Sequence, residues 1–186
     1  MKALFTAAVA GLAGVTAMMP AEAGTFSVGN SYARDCWQAA EARDHDTNAI
    51  YHCNLALDQE GLDPANMAAT FVNRGVLYMR NRNYSMAERD FGRALRTDET
   101  NPEAWLNMAI SHLRQNENDT SVLPMIEKAI ALNTKEQALA YYSRAILNER
   151  NGNIRSAYAD YKKAHELAPD WDEPAEDLLR YRVVKK

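Results

Sequence analysis

Residues 71–78 of this 186-residue chain read FVNRGVLY, and residues 87–94 read AERDFGRA. In both segments apolar residues recur at intervals of three and four, which predicts two amphipathic helices. Gly75 lies in the first segment and Ala94 in the second, and small residues let two helices approach closely. The sequence therefore predicts a pair of packed helices over residues 68–101.

The same arrangement recurs twice further along the chain. Small residues stand 34 and 36 residues apart on the first helices and 35 and 35 apart on the second, namely Gly75, Ala109 and Ala145, and Ala94, Ala129 and Ala164. A period of about 34 residues built from paired helices is typical of a repeat array. One pair buries too little apolar surface by itself, so neighbouring pairs must stack.

The three copies resemble the tetratricopeptide repeat, in which bulky, small and aromatic residues stand at fixed positions of a two-helix unit. The first copy carries Phe71, Gly75, Tyr78, Ala87, Phe91 and Ala94 at these positions. The second copy carries Trp105, Ala109, His112, Val122, Ile126 and Ala129. The third copy carries Tyr141, Ala145, Gly152, Ala157, Tyr161, Ala164 and Pro169.

The resemblance implies an all-α fold: a solenoid of stacked antiparallel helix pairs with a C-terminal capping helix. We expect repeats at residues 68–101, 102–136 and 137–170, an irregular N-terminal pair at 24–67 and the capping helix at 171–186. Polar residues on the capping helix would cover the open end of the stack.

The first 23 residues are expected to be a cleaved signal peptide. Lys2 supplies a basic start, residues 3–19 form an apolar run, and residues 21–23 read AEA, a small-x-small pattern that signal peptidase recognises. Cleavage after Ala23 would leave an exported protein, periplasmic or secreted, that does not insert into the membrane. The alternative is an N-terminal membrane anchor, for which the run is short, since a spanning helix needs about 20 apolar residues.

The two cysteines, Cys36 and Cys53, are predicted to form a disulfide, because an exported chain meets an oxidising compartment. On the repeat frame that the resemblance implies, they lie on facing helices of the N-terminal pair. The alternative is a zinc site that adds His45 and His52, but this spacing matches none of the usual structural zinc arrangements. No metal and no cofactor are therefore expected.

Charge and motifs argue against two classes of function. The chain has 21 basic and 25 acidic residues, a net charge of -4, and no cluster of basic residues apart from Lys185 and Lys186. Nucleic acid is therefore not an expected partner, because phosphate binding needs clustered positive charge. The sequence contains no phosphate-binding glycine loop and no Gly-x-Ser-x-Gly motif, so we do not expect an enzyme.

In tetratricopeptide arrays the first helix of each pair lines a concave face, and the resemblance implies a peptide-binding groove there. The expected apolar floor consists of Val72, Val76, Leu106, Ile110, Tyr142 and Ile146. The polar side chains beside it are Asn73, Asn107 and Ser143, and the arginines along one edge are Arg80, Arg114 and Arg150. An Asn amide can both donate and accept hydrogen bonds to a peptide backbone, and an Arg can bind a carboxylate through two hydrogen bonds.

Each of these features also has a plainer interpretation. The apolar residues could pack internally, the amides could face water, and arginines at the ends of helices complement the helix dipole without a ligand. The carboxylate clamp of chaperone-binding members of the family is not expected. The matching positions here are Arg34, Gln38, Asn73, Glu103 and Asn107, of which Asn73 alone agrees.

The sequence thus favours an exported scaffold or adaptor that binds a peptide or an envelope protein in the groove. The alternative is a structural or assembly subunit of a larger cell-envelope complex. Self-association and the identity of the partner stay open at this point.

Overall fold

The computed structural model describes residues 4–7, 31–42, 48–115 and 121–184. The helices in these ranges are α1 (Ser31–Glu41), α2 (Ala49–Gln59), α3 (Pro64–Arg80), α4 (Tyr84–Thr97), α5 (Pro102–Arg114), α6 (Val122–Ala131), α7 (Gln137–Arg150), α8 (Ile154–Leu167) and α9 (Asp172–Leu178). The strands are β1 (Leu4–Ala7) and β2 (Tyr181–Val184). The chain forms two compact units: an N-terminal unit, Pro20–Lys135, and a C-terminal unit, Met1–Met19 with Glu136–Lys186.

Three of the described helices, α3, α4 and α5, begin at a residue whose side chain caps the first turn, and at α4 this residue is Asn83. Asp63 precedes α3 and accepts a hydrogen bond from the backbone N–H of Asn66 at 2.9 Å, and Pro64 is the first helical residue. Asn101 precedes α5 and accepts a hydrogen bond from the backbone N–H of Ala104 at 3.0 Å. Such a cap satisfies one of the N–H groups that the first turn leaves without a partner.

In the N-terminal unit, the close packing of α3 on α4 requires the glycine at position 75. A Cβ atom on Gly75 would lie 2.4 Å from Cε1 of Phe91, closer than two carbon atoms can pack. Phe91 is fully buried, as are Ala87 and Ala94 on the same helix. Burying a phenylalanine side chain contributes about 1.5–3 kcal/mol, and the glycine makes this burial possible.

A disulfide joins α1 to α2, as predicted. Cys36 and Cys53 are bonded, with their Cα atoms 4.8 Å apart, and both residues are fully buried. Ala40, Ala49 and Leu77 complete the apolar cluster around the bond. The closed loop spans 17 residues, and a loop of this length corresponds to about 3 kcal/mol of stabilisation in the chain-entropy description.

In the C-terminal unit, the capping helix is shorter than the sequence predicted. The helix α9 ends at Leu178, whereas the prediction extended it over residues 171–186. After a turn, Tyr181–Val184 forms a strand paired antiparallel with Leu4–Ala7, and Phe5 lies opposite Val183. The correction has a physical reason, because the segment reads YRVV, and aromatic and β-branched residues favour strands over helices.

Helices dominate the described residues, which confirms the predicted all-α fold class; the two strands are only four residues each. The strand Leu4–Ala7 falls within the predicted signal peptide, whose other residues lie outside the described part of the chain. Among the helices that the structure describes, none combines the length and the hydropathy that a bilayer-spanning segment needs.

Candidate functional site

The apolar floor of the predicted groove is buried in the N-terminal unit. Val72, Val76, Leu106 and Ile110 are between 0% and 1% exposed. These side chains lie on α3 and α5, two first helices that contact one another. The expectation of an open apolar floor is therefore corrected: aliphatic side chains gain about 1.5–3 kcal/mol each from burial, and these positions behave as core.

The two amide residues of this unit are buried as well. Asn73 is 2% exposed and Asn107 is fully buried. The Nδ2 atom of Asn107 donates to the backbone carbonyl of Glu103 at 2.8 Å, whereas its Oδ1 atom has no hydrogen-bond partner. A buried acceptor without a partner loses its hydration and gains nothing in return, which costs about 1–3 kcal/mol.

Glu103, which the sequence placed among the clamp positions, has an internal role. Its Oε2 atom accepts a hydrogen bond from Oγ1 of Thr134 at 2.8 Å, and its Oε1 atom accepts one from the backbone N–H of Lys135 at 2.9 Å. The carboxylate thus ties the start of α5 to the segment that follows α6. Both carboxylate oxygens of Glu103 therefore already accept hydrogen bonds from the chain itself.

In the C-terminal unit, the predicted groove residues Tyr142, Ser143 and Ile146 are also buried. The ring of Tyr142 packs against Trp171, with 4.7 Å between ring centroids, and its hydroxyl donates to Asp177 of α9 at 2.8 Å. The assignment of Tyr142 to an open floor is corrected by these contacts. Burial and the nearby Asp177 carboxylate raise the pKa of Tyr142, so its hydroxyl stays a donor at neutral pH.

Ser143 resembles Asn107 in one respect. The Oγ atom of Ser143 is buried and has no hydrogen-bond partner. Both residues occupy the repeat position that the sequence analysis assigned to backbone recognition, each in its own unit.

The three edge arginines behave differently from one another. The guanidinium of Arg80 donates to the carbonyl oxygens of Ala39, Ala40 and Ala42, the first at 3.3 Å and the last at 2.7 Å. These carbonyls lie at the C-terminal end of α1, where a cation complements the helix dipole. Arg80 therefore serves the fold, as the plainer interpretation of these arginines suggested.

Arg114 has no comparable role. Its Nε atom is buried and has no hydrogen-bond partner. Burial lowers the pKa of Arg114, and Tyr84 is the neighbour whose charge interaction opposes that shift. Arg150, in the C-terminal unit, is partly exposed, and the described part of the chain offers it no ion pair.

The zinc alternative is not supported. Cys36 and Cys53 share a disulfide, and zinc would require them as free thiolates. His52 packs near the rings of Tyr32 and Tyr51, with centroid distances of 6.4 and 6.1 Å, and His45 lies outside the described residues. Within the described ranges, no group of three His, Cys, Asp or Glu residues is placed to hold a metal ion.

The comparisons with known proteins place the fold. No protein-family profile matches the chain. The human protein O-mannosyl-transferase TMTC3 is 23% identical over 118 residues, which is 63% of this chain but only 12% of the length of that protein.

Three solved structures share the fold at low sequence identity. MamA from Desulfovibrio magneticus, from residue 41 to its end, has a TM-score of 0.62 at 17% identity, covering 80% of this chain and 82% of that one. The first tetratricopeptide domain of human RPAP3 has a TM-score of 0.57 at 24% identity, covering 63% and 91%. The tetratricopeptide domain of Arabidopsis OM64 has a TM-score of 0.57 at 18% identity, covering 63% and 95%. The chain therefore has the all-α solenoid fold of tetratricopeptide repeat domains.

Proposed function

We propose that this chain is a protein-interaction module that binds an extended peptide segment along α3 and α5, the first helices of the two repeats in the N-terminal unit. The observation that carries the proposal is the Oδ1 atom of Asn107 on α5, a buried acceptor that has no hydrogen-bond partner among the described residues. Asn107 is fully buried, so the side chains that cover it must move aside before a backbone N–H of a bound peptide can supply the missing donor. An RPAP3 repeat domain of the same fold has been solved with an HSP90 peptide, at 23% identity and a TM-score of 0.57, which supports this kind of partner.

The buried carboxylates support a binding role over a catalytic one. Asp90 and Asp160 each accept two hydrogen bonds from an arginine, and Glu103 accepts two from the chain around Thr134. A general acid or base needs a carboxyl group that can reach a substrate. These three are committed to the packing of the helices, and we propose that the chain is not an enzyme.

We propose further that the protein is exported, with residues 1–23 removed as a signal peptide. The support is the leader pattern in the sequence together with the Cys36–Cys53 bond, since disulfides persist in oxidising compartments. The mature protein would begin at Gly24 and act in the periplasm or outside the cell. N-terminal sequencing of protein recovered from the exported fraction tests this, and material that begins at Met1 would contradict it.

The test of peptide binding uses the chain as purified from the cells that make it, with its N-terminus determined. Selection from a displayed random-peptide library should yield a shared motif with the wild-type chain. The Asn107→Ala variant should no longer select peptides with that motif, although its circular dichroism spectrum stays helical. The exposed-site control Asn81→Ala should still select the motif. An identical motif with Asn107→Ala would count against peptide binding along α3 and α5.

A second candidate is an assembly subunit, and a specific observation favours it. In the C-terminal unit Leu179 is 86% exposed and Leu167 is 43% exposed, and large exposed apolar side chains are found at contact surfaces. Light scattering on the purified chain and on Leu179→Lys distinguishes the two candidates. An oligomer that Leu179→Lys dissociates would favour assembly, whereas a monomer in both cases would favour the peptide-binding module.

A further inference from the structure

Arg80 and Arg114 occupy equivalent repeat positions, 34 residues apart, but within the described ranges Arg80 hydrogen-bonds to the fold and Arg114 does not. The guanidinium of Arg80 closes the C-terminal end of α1 by donating to three backbone carbonyls. By the same geometry, Arg114 on α5 would be expected to close the end of α3, the preceding first helix. It does not, and the reason lies in how α3 ends.

Backbone N–H groups already satisfy the last carbonyls of α3. Asn81 donates to Leu77 at 3.1 Å, Arg82 donates to Met79 at 3.0 Å, and Asn83 donates to the carbonyl of Tyr78 at 2.8 Å. Arg82 adopts a positive φ of 57°, which is the left-handed conformation that allows a helix to close on itself in this way. The carbonyls of Leu77, Tyr78 and Met79 are therefore already bonded by the backbone that follows α3, and Arg114 donates to none of them.

An acidic residue of α4 that contacts the end of α5 already has hydrogen-bond donors of its own. Glu88 of α4 accepts hydrogen bonds from Oγ of Ser111 at 3.1 Å and from the side-chain amide of Gln115. Burial lowers the pKa of Arg114, and Tyr84 is the neighbour whose charge interaction opposes that shift. Arg114 is thus a partly desolvated cation with a buried Nε donor, and no anion of the described residues forms an ion pair with it.

Arg114 and Asn107 lie on one face of α5, seven residues apart, which is two helical turns. The rise of about 1.5 Å per residue separates them by roughly 10 Å along the helix. An extended peptide advances about 3.3 Å per residue, so roughly three residues span that distance.

We propose that Arg114 binds an Asp or Glu side chain of the peptide ligand, about three residues from the backbone amide that pairs with Asn107. This rests on the proposed peptide-binding function and specifies it: the partner carries an acidic side chain at one fixed place in an extended segment. Arg80 takes no part in recognition, because its donors are used within the fold.

A stability comparison separates an internal role of Arg114 from a recognition role. Arg80→Met removes bonds to three carbonyls and should lower the thermal midpoint of unfolding. Arg114→Met removes a desolvated charge that has no partner, so the midpoint should stay unchanged or rise. A fall with Arg114→Met as large as that with Arg80→Met would show that the charge is used internally, and the proposal would fail.

The binding experiment uses the same displayed random-peptide library. Wild type should enrich Asp or Glu at one position of the motif, Arg114→Met should lose that enrichment, and the exposed control Arg96→Met should retain it. A selected peptide should bind Arg114→Met about tenfold more weakly or worse, and Glu→Gln within that peptide should cost wild type the same factor. Amidation of the peptide C-terminus should change little, since the proposed anion is a side chain.

The outcomes distinguish the two proposals. If wild type selects a shared motif that contains no fixed acidic residue, the assignment of Arg114 is wrong while peptide binding stands. If only amidation weakens binding, the anion is the peptide terminus and the proposal is overturned. If wild type selects no shared motif, the proposed function fails and this inference fails with it.

Discussion

Arg74 and Asp90 form a buried ion pair between α3 and α4, with Nε to Oδ2 at 2.7 Å and a terminal guanidinium nitrogen to Oδ1 at 2.8 Å. The same relationship joins Arg144 to Asp160 between α7 and α8, at 2.9 and 2.7 Å, 70 residues later in the chain. Each arginine also lies over an aromatic ring of its own helix, at 5.6 and 5.1 Å from the ring centroid. The first and third repeats therefore fasten their two helices by the same device.

The second repeat replaces this device with apolar side chains. The positions that correspond to Arg74 and Asp90, shifted by 34 and 35 residues, are Met108 and Met125. Replacing both members of a buried ion pair with apolar residues is commonly neutral for stability, whereas removing one member leaves an unpaired charge. The second repeat, with Met108 and Met125, is thus a natural example in which apolar residues stand at both positions of the ion pair.

Asp90→Ala should lower the free energy of unfolding by about 3–5 kcal/mol, because it leaves the Arg74 guanidinium buried without its carboxylate. The double replacement Arg74→Met with Asp90→Met, copied from the second repeat, should recover most of that loss. Urea denaturation followed by circular dichroism measures both. If the double variant is no more stable than Asp90→Ala, the loss does not come from an unpaired charge.

Gly75→Ala should destabilise the chain by about 1–3 kcal/mol, since the new Cβ would meet the ring of Phe91 at 2.4 Å. Gly92→Ala is the matched control on the facing helix. Its Cβ would meet nothing nearer than 3.5 Å, and alanine is favoured over glycine inside a helix by about 1 kcal/mol. Equal effects of the two substitutions in thermal denaturation would be inconsistent with the close approach of α3 and α4.

Reduction of the Cys36–Cys53 bond should lower stability by about 3 kcal/mol, through the greater entropy of the open unfolded chain. Cys36→Ala with Cys53→Ala should show a similar loss under non-reducing conditions. Thiol titration of the unfolded wild-type protein should find no free cysteine. Two free thiols per chain would contradict the disulfide.

Stability should fall at alkaline pH, because burial and nearby carboxylates raise the pKa of Tyr142, Tyr161 and Tyr181 above the ordinary value of 10.0. The folded state therefore holds these phenolic protons more tightly than the unfolded state does. The stabilisation of the folded state by these protonated tyrosines is fully present below about pH 10 and is lost as the pH rises further. Tyrosinate absorbance should appear together with unfolding, whereas tyrosinate formation in a chain that stays folded would contradict the raised values.

Much of the fold was predictable because repeat periodicity is a local property of sequence. The spacing of Gly75, Phe91 and Ala94 indicates where two helices are in contact, and in the structure Gly75 packs against the ring of Phe91. The disulfide between Cys36 and Cys53 was predicted because an exported chain with two cysteines meets an oxidising compartment, and the repeat frame placed the two residues on facing helices. These features depend on neighbours within one helix pair, which a pattern of residues can encode.

The site was harder to predict because its accessibility depends on contacts distant in sequence. The position of Tyr142 in its repeat does not reveal that Asp177 accepts a hydrogen bond from its hydroxyl. Likewise, three arginines at one repeat position look equivalent in sequence, but Arg80 reaches carbonyls about 40 residues away, while Arg114 donates to no carbonyl of the described residues. The left-handed conformation of Arg82, through which backbone N–H groups bond carbonyls at the end of α3, is visible only in the backbone.

The ladder between Leu4–Ala7 and Tyr181–Val184 joins the two extremities of the polypeptide. If the leader is removed as proposed, the final strand loses the backbone partner seen here, and its N–H and C=O groups must turn to water or to another chain. Precursor and processed protein would then differ at the carboxyl end, although the cut is made near the amino end. Processing at one terminus would in this way change the chemistry displayed at the other.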